Sequence, residues 1–272
     1  MNVKRFIHIW TIAILFLLFD VNIAKAASSC PLDSVLTFNV DSVLTEVTIY
    51  DYVVDTSRTT VWTVNPDGTR VGKSREESYS SSLKTMTATY VWDNSAHTWK
   101  GTEKEEKTYK YFAGIKKEIS HTAFKWINAK WVADTRETSN FDEAARETEH
   151  FEYSRNPTTN QLQPVSGYVY AWIDDTRKSL EIQYTAYGTT AWATGTKQEW
   201  AFDDEGRPTL VASSTMTNGT WIGTSKETWA YEGPAGQQTL HETYGWYNND
   251  WSMTLREIAA FDEAGHQTLI EN

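Results

Sequence analysis

Cysteine is almost absent from this chain, since Cys30 is the only one among its 272 residues. A single cysteine allows no intrachain disulfide, so stability has to come from burial and hydrogen bonding. The sequence also lacks a glycine-rich phosphate loop and a Gly-x-Ser-x-Gly nucleophile elbow. No group of His, Cys and Asp has the spacing of a zinc or iron site. These absences predict no cofactor, no metal and no recognisable catalytic centre.

Helical periodicity is missing as well, because no long segment after residue 26 carries apolar residues at helical spacing. The segments are instead rich in Thr, Val, Tyr, Trp and Ser with polar alternation, as in residues 87–92 and 224–231. Such residues fit a pleated, half-buried surface. The composition therefore favours an all-β protein.

A bulky apolar residue is followed ten positions later by an aromatic one six times along the chain. The pairs are Trp99/Tyr109, Trp131/Phe141, Leu162/Trp172, Trp192/Phe202, Trp221/Tyr231 and Trp251/Phe261. Their first members are 29 to 32 residues apart. A fixed period of this kind is the signature of a tandem array. Residues 34–85 hold weaker copies, and residues 86–272 hold the regular ones.

Each copy contains two turn signals. One follows the second aromatic, as in Phe-Asp-Glu-Ala-Gly at 261–265, where Asp bonds nearby backbone and Gly accepts a positive φ. The other precedes the leading residue, and Asn there is a strong hairpin signal. These second turns hold Asn94, Asn128, Asn160, Asn218-Gly219 and Asn248-Asn249, with Gly188 in the remaining copy.

The predicted fold is a tandem array of antiparallel β-hairpin repeats of about 30 residues, forming an elongated twisted meander sheet of about 14 strands. Residues 27–272 are expected to form one repeat domain. Because side chains alternate between faces, the ten-residue spacing predicts that the large rings share one buried face. A closed outer-membrane barrel is the alternative, but it needs a tall apolar face. Lys100 and Lys104 on one face, and Glu103 and Glu105 on the other, disfavour it.

The first 26 residues read as an export signal. Lys4 and Arg5 precede an apolar run, and Ala24-Lys25-Ala26 supplies small residues for cleavage. The apolar run is short for a span of about 20 residues, although a retained anchor is the alternative. We therefore expect an exported protein in the periplasm, at the surface or outside the cell, with no transmembrane span in the mature chain. Lipidation of Cys30 offers a lipid-anchored alternative.

The chain is acidic, with a net charge of −11 that becomes −13 when three basic residues and Asp20 leave with residues 1–26. Such a chain repels phosphates, so nucleic acid is excluded as a partner.

A row of carboxylates is the strongest candidate for chemistry. Four copies carry Glu four residues before the second aromatic, and a fifth carries Gln: Glu105, Glu137, Glu227, Glu257 and Gln198. Strands two apart place equivalent groups about 10 Å from one another, near the limit for an inverting glycosidase. A solvated, charged sheet face explains the row better, because an active site uses one unlike pair. We expect no catalytic residue here. The histidines, His97, His121, His150, His241 and His266, are expected to be isolated at the surface.

Four tryptophans near predicted strand ends are candidates for ligand binding: Trp62, Trp92, Trp126 and Trp246. Flat aromatic rings suit sugar rings or extended polymers. The regular leading residues Trp99, Trp131, Trp192, Trp221 and Trp251 are expected to be core.

The turns at 202–206 and 261–265 resemble the aromatic-Asp-x-x-Gly core of bacterial tyrosine-aspartate (YD, Rhs-type) repeats. A fainter likeness links the chain to choline- and glucan-binding repeats. The unit here is longer than a YD repeat, its leading Trp is not part of that pattern, and the toxin-bearing context of Rhs proteins is missing. Both resemblances imply an exported repeat scaffold and transfer no ligand residue.

The resulting functional hypothesis is a non-enzymatic binding or structural protein at the bacterial surface or in the periplasm. Its partner would be a polysaccharide or a surface protein. The alternative is a carbohydrate-active enzyme or its accessory carbohydrate-binding module, with the irregular segment 154–164 near a cleft. A structural spacer that binds nothing is a third reading.

Overall fold

The computed structural model describes residues 34–187, 191–232 and 236–271. The predicted signal peptide at 1–26, Cys30 and the turn residue Gly188 lie outside these ranges. Strands and turns account for the regular structure throughout the described ranges, which confirms the all-β prediction. Within those ranges, no helix has the length and apolarity needed to cross a membrane.

Within the described ranges, seventeen antiparallel strands belong to one sheet. They are β1 (Ser34–Phe38), β2 (Leu44–Val53), β3 (Thr56–Val64), β4 (Arg70–Ser80), β5 (Lys84–Asp93), β6 (Thr98–Phe112), β7 (Ile115–Ile127), β8 (Lys130–Phe141), β9 (Glu147–Arg155), β10 (Leu162–Trp172), β11 (Lys178–Tyr187), β12 (Trp192–Phe202), β13 (Pro208–Thr217), β14 (Thr220–Tyr231), β15 (Gln238–Tyr247), β16 (Asp250–Phe261) and β17 (Gln267–Glu271). Consecutive strands pair from β1 to β5 and from β8 to β17, as a hairpin meander requires. The strand count exceeds the expected 14 or so because the degenerate segment also forms complete strands.

The described residues group into two compact units. Unit 1 holds residues 34–81, Thr85–Lys104 and Lys125–Trp131, and unit 2 holds Ser82–Lys84, Glu105–Phe124 and the described residues from 132 onward. The single repeat domain stays a prediction.

The Asn turns at 128–129, 218–219 and 248–249 are two-residue hairpin turns with positive φ at both central residues, whereas Asn94 and Asn160 lie in turns of four and six residues. Asn218 and Gly219 have φ values of 51° and 78°, and Asn248 and Asn249 have 50° and 64°. This combination belongs to type I′ turns, whose twist matches that of the flanking strands. The hairpin role predicted for these residues is therefore confirmed.

The Asp turns depend on side-chain caps. Asp203 Oδ1 accepts a hydrogen bond from the backbone N–H of Arg207 at 2.8 Å. Asp262 Oδ1 accepts from the backbone N–H groups of Ala264 and His266 at 2.9 and 2.8 Å. Both kinds of turn predicted from the sequence are therefore formed, the Asn turns through positive φ and the Asp turns through side-chain hydrogen bonds.

Burial is shallow. Among the described apolar side chains the buried ones are Val47, Ala88, Ala145, Ala212 and Met216, and no large side chain is fully buried. All tryptophans from Trp62 to Trp251 are half-buried. The expectation of one fully buried bulky face is wrong, because a single sheet layer leaves both faces partly open to water. The leading tryptophans and those near the strand ends alike are half-buried.

A β-bulge in each of two C-terminal strands moves the large rings onto opposite faces. In β14, Ser213 pairs with Ser225 but Ser214 pairs with Gly223, which leaves Thr224 as an extra residue. One extra residue reverses the alternation of side chains. In unit 2 we call the face with Trp221, Trp246 and Trp251 the Trp-pair face. The face with Trp229 and His241 is the histidine face. The shared face predicted from the ten-residue spacing is therefore wrong here.

Candidate ligand-binding face

Pairs of tryptophans join the two strands of several hairpins at their Asn turns. Trp246 and Trp251 lie directly opposite each other, with ring centroids 5.0 Å apart and planes at 81°. In unit 1, the pairs Trp92–Trp99 and Trp126–Trp131 have centroids 5.2 and 5.0 Å apart, both at 76°. Edge-to-face contacts of this kind contribute about 0.5–1.5 kcal/mol beyond area burial. Each pair therefore closes the end of its hairpin.

Additional aromatic rings extend the pairs in unit 1. Trp62 lies 6.0 Å from Trp92 and 5.7 Å from Trp99, centroid to centroid. The guanidinium carbon of Arg75 lies 4.6 Å from the centre of the Trp99 ring. The result is a three-ring cluster that carries a cation on one of its rings.

The second cluster of unit 1 contains a hydrogen bond between rings. Trp131 Nε1 donates to the Tyr90 hydroxyl at 3.1 Å, and Tyr90 in turn donates to Glu77 Oε2 at 3.2 Å. Burial raises the pKa of Tyr90 above its usual value, and the neighbouring Glu77 adds to this effect. The phenol therefore stays protonated and donates to the carboxylate.

Glycines lie beneath the Trp pairs. A Cβ added to Gly223 would lie 2.5 Å from Trp246 Cε3 and 2.6 Å from Trp251 Cζ2, closer than real contacts allow. Gly72 beneath Trp92 and Trp99, and Gly101 beneath Trp126 and Trp131, have the same relation. The ring pair of one copy thus rests on the bare backbone of the copy before it.

Sequence reasoning missed these glycines, although a signal exists. Trp99-Lys100-Gly101 and Trp221-Ile222-Gly223 share a Trp-x-Gly pattern at equivalent places in the repeat. The pattern is easily overlooked because glycine also marks the turns of the same repeat.

The structure places all four ligand candidates in these clusters. Trp62, Trp92, Trp126 and Trp246 each contact a tryptophan that was expected to be core. A half-buried ring in such a pair can hold a flat ligand on its exposed part while its partner fixes its orientation.

The carboxylate row meets histidines on the histidine face. His241 Nε2 lies 2.9 Å from Glu227 Oε2, and its Nδ1 lies 3.1 Å from Glu257 Oε2. The imidazole is stacked on Trp229, with planes at 2° and centroids 5.5 Å apart. Burial acts to lower the pKa of His241, but the hydrogen bonds and charges of Glu227 and Glu257 outweigh it, so the pKa is raised.

Three further histidines contact polar partners. His121 Nε2 lies 3.4 Å from Glu105 Oε2, and His150 Nδ1 lies 3.0 Å from the Ser139 hydroxyl. His266 Nδ1 lies 3.1 Å from Asp262 Oδ2. The expectation of isolated surface histidines is therefore wrong for His121, His150, His241 and His266. Across the described ranges, no three His, Cys, Asp or Glu side chains are arranged to hold a metal.

An arginine directly follows each of several Asp turns and donates back to the Asp of its own turn. Arg207 Nε donates to Asp203 Oδ2 at 2.6 Å, and its Nη1 donates to the Gly236 carbonyl at 2.9 Å in the corresponding turn of the following copy. Its guanidinium carbon lies 4.6 Å from the centre of the Tyr231 ring. Arg207 thus joins its own turn to the turn of the following copy.

Arg177 repeats this arrangement between its turn and the next copy. Its Nε donates to Asp174 Oδ2 at 2.6 Å, and its guanidinium carbon lies 5.2 Å from the Phe202 ring centre. The signal for these clamps was present in the sequence, because Arg146, Arg177 and Arg207 follow the turns of three successive copies.

Both ends of the segment 154–164, suggested for the enzymatic alternative, are paired strand. Leu162 pairs with Arg155 and Gln163 with Ser154, so the loop itself is limited to residues 156–161. Two shallow troughs lie elsewhere, lined by residues between Ala230 and Ile270. The irregular segment thus lines neither trough.

The sequence matches no known family model and no curated protein. A Bacteroides fragilis protein of unknown function is 14% identical, with 46% of this chain and 91% of that chain covered and a TM-score of 0.29. A DUF3836 family protein from Parabacteroides distasonis is 13% identical, with 43% and 92% covered and a TM-score of 0.21. A chain of the TcdB2–TccC3–TEV crystal structure is 9% identical, with 88% of this chain and 18% of that chain covered and a TM-score of 0.16. At these TM-scores the likenesses assign neither a family nor a function.

Proposed function

We propose that this chain is an exported, non-enzymatic repeat scaffold that binds an extended polysaccharide through its Trp pairs. The observation that carries the proposal is the recurrence of half-exposed, mutually braced tryptophan rings at the Asn-turn ends of the hairpins. A ring that is already fixed in orientation loses little conformational freedom when a sugar stacks on it. Such rings are suited to repeated, shallow contacts.

The repeat distance supports a polymer as the ligand. Equivalent positions in successive hairpins are two strands apart, which is about 10 Å in a sheet. This distance is comparable with the length of a disaccharide unit in an extended glycan. A polymer lying across the strands would therefore present a chemically equivalent sugar face to each successive pair.

A pull-down of the purified chain with insoluble polysaccharides tests the proposal, with an assay for released sugar run on the same samples. Retention without product supports a binding scaffold. Release of product would instead support the carbohydrate-active enzyme, and absence of retention on every polysaccharide would contradict polymer binding.

Matched variants connect the result to the rings. Trp246→Leu on the Trp-pair face is expected to weaken retention several-fold, whereas Trp229→Leu on the histidine face should leave it unchanged. Thermal denaturation of both variants checks that they are folded. Equal loss in both would contradict a role for the Trp pairs.

Export belongs to the proposal as well, on the basis of residues 1–26 and Cys30. Mass spectrometry of the mature N-terminus distinguishes cleavage after Ala26 from acylation of Cys30. An intact Met1 in the membrane fraction would indicate a retained anchor instead.

A further inference from the structure

The cluster around His241 connects three strands through one side chain. His241 is on β15, Glu227 is on β14 and Glu257 is on β16. His241 pairs in register with both Trp229 and Glu257. The exposed fraction of the side chain is 20% for His241, against 45% for Glu227 and 44% for Glu257. The imidazole is thus more sheltered than the two carboxylates that it connects.

The two contacts each require a donated N–H, and a neutral imidazole can supply only one. A neutral ring has one N–H donor and one nitrogen that only accepts, whereas an ionised carboxylate only accepts. With carboxylate oxygens at 2.9 and 3.1 Å from the two nitrogens, only the doubly protonated ring satisfies both. The parallel indole of Trp229 prevents the ring from turning away and attracts a cation over its face.

We propose that His241 is a proton-operated clamp that joins β14, β15 and β16 when protonated and releases one of the two outer strands when neutral. Loss of the proton leaves one nitrogen lone pair facing a carboxylate, so that contact opens. The C-terminal hairpins thereby become less tightly connected as the pH rises. This property is independent of the proposed polysaccharide binding, since it belongs to the opposite face.

The surroundings contain no other charge that would mask this behaviour among the described neighbours on the same face. Glu227 is the charged group that faces His241 from β14, and Glu257 is the one from β16. On β15 itself, the same-face neighbours are Thr239 and Thr243. Lys226, Glu242 and Arg256 point to the Trp-pair face, where Arg256 Nε contacts Glu242 Oε1 at 3.2 Å. Beyond Trp229 on β14 comes Tyr231, whose ring is covered by Arg207.

The sign of the effect follows from the direction of the shift. The pKa of His241 in the folded chain is raised above the ordinary 6.5. The stabilising contribution is therefore complete below about 6.5 and is lost as the pH rises through the higher folded-state pKa. The stabilising contribution is therefore lost at a pH above that at which an unperturbed histidine loses its proton.

Two measurements on the full chain test the clamp. An NMR titration of the histidine side chains should show that His241 loses its proton at a higher pH than in Glu257→Gln, where one acceptor charge is removed. Titration of His241 at the ordinary histidine pH in both proteins would overturn the proposal.

Hydrogen exchange supplies the structural readout. In the native chain, peptides covering β14 to β16 should exchange several-fold more slowly than in His241→Gln at the same acidic pH. This extra protection should disappear at alkaline pH, where the imidazole is neutral. His266→Gln, at a position that is 79% exposed with one carboxylate partner, is the control and should keep the native profile. Equal protection of native chain and His241→Gln at all pH values would overturn the clamp.

Discussion

At the scale of single residues, glycine and aspartate carry the contacts between copies. Gly223 leaves room for two indole rings, and Asp203 fixes an arginine that reaches the next turn. Turn roles of Asn and Asp were predictable because they depend on atoms within four residues. The place of Arg207 after its turn is visible in the sequence, but its bond to Gly236 and the His241 cluster were not predictable, because those partners are far along the chain and become neighbours only through the strand register.

Substitution of Gly223 by Ala should destabilise the protein. The new methyl group would meet both Trp246 and Trp251, and overpacking of this kind costs about 1–3 kcal/mol. Urea denaturation measures the change. Ser225→Ala, at an exposed position on the same strand, should remain within about 0.5 kcal/mol of the native chain. Equal stability of the two variants would contradict the close packing of rings on Gly223.

Acid should weaken the Asp turns. Burial acts to raise the pKa of Asp203, but the hydrogen bonds and charge of Arg207 outweigh it and lower the pKa below 3.8. Its contribution is therefore present above pH 3.8 and is lost as the pH falls through the lower folded-state pKa. Asp203→Asn should reduce the loss of stability on acidification, measured by urea denaturation at several pH values. Asp204→Asn, which changes the exposed neighbouring residue, is the control. An identical acid profile for both variants would contradict the contact between Asp203 and Arg207.

At the scale of elements, the hairpin is the unit that the sequence specifies and the bulge is the detail that it conceals. Asn turns and β-prone runs predict each hairpin because both are local signals. The extra residue Thr224 has no distinctive side chain, and only the pairing of Ser213 with Ser225 and Ser214 with Gly223 shows it. Face assignments beyond such a bulge therefore cannot be made by counting residues.

The turn between β7 and β8 holds an alanine in the strained left-handed conformation. Ala129 has a φ of 58° next to Asn128 at 50°. A left-handed conformation costs a residue with a Cβ roughly 1–2 kcal/mol, whereas glycine adopts it freely. Ala129→Gly should thus stabilise the protein by about 1 kcal/mol or slightly less, because glycine also gains freedom in the unfolded chain. The matched change Ala123→Gly within β7 should destabilise it, and calorimetry compares them. A lower melting temperature for Ala129→Gly would contradict the turn geometry.

At the scale of the whole molecule, shallow burial sets the energetics. No large side chain in the described ranges is fully buried, and exposed apolar residues such as Val53 at 70% and Ile270 at 64% remain on the sheet. Aromatic contacts between neighbouring strands therefore replace a deep core. The sequence does not show this, because a ring-rich strand has the same side-chain pattern whether its face is deeply or only partly buried.

Unfolding should expose less surface than in a globular protein of equal length. The urea m-value scales with the surface newly exposed, so we expect a value below that of compact proteins of similar size. Equilibrium denaturation followed by tryptophan fluorescence measures it, and far-UV circular dichroism checks that the same transition is seen. An m-value typical of a compact protein of this length would contradict the shallow burial described here.

The glycine beneath each ring pair has a consequence for inheritance. The glycine of one hairpin always lies beneath the ring pair of the next hairpin. Duplication or deletion of a whole period in the gene therefore leaves each ring pair at the junction above a glycine. A change of half a period would instead set two ring pairs, or two bare backbones, against each other. Lineages of this protein should accordingly differ in length by whole multiples of one period. The positions of these glycines and tryptophans should vary more slowly than the surface positions between them.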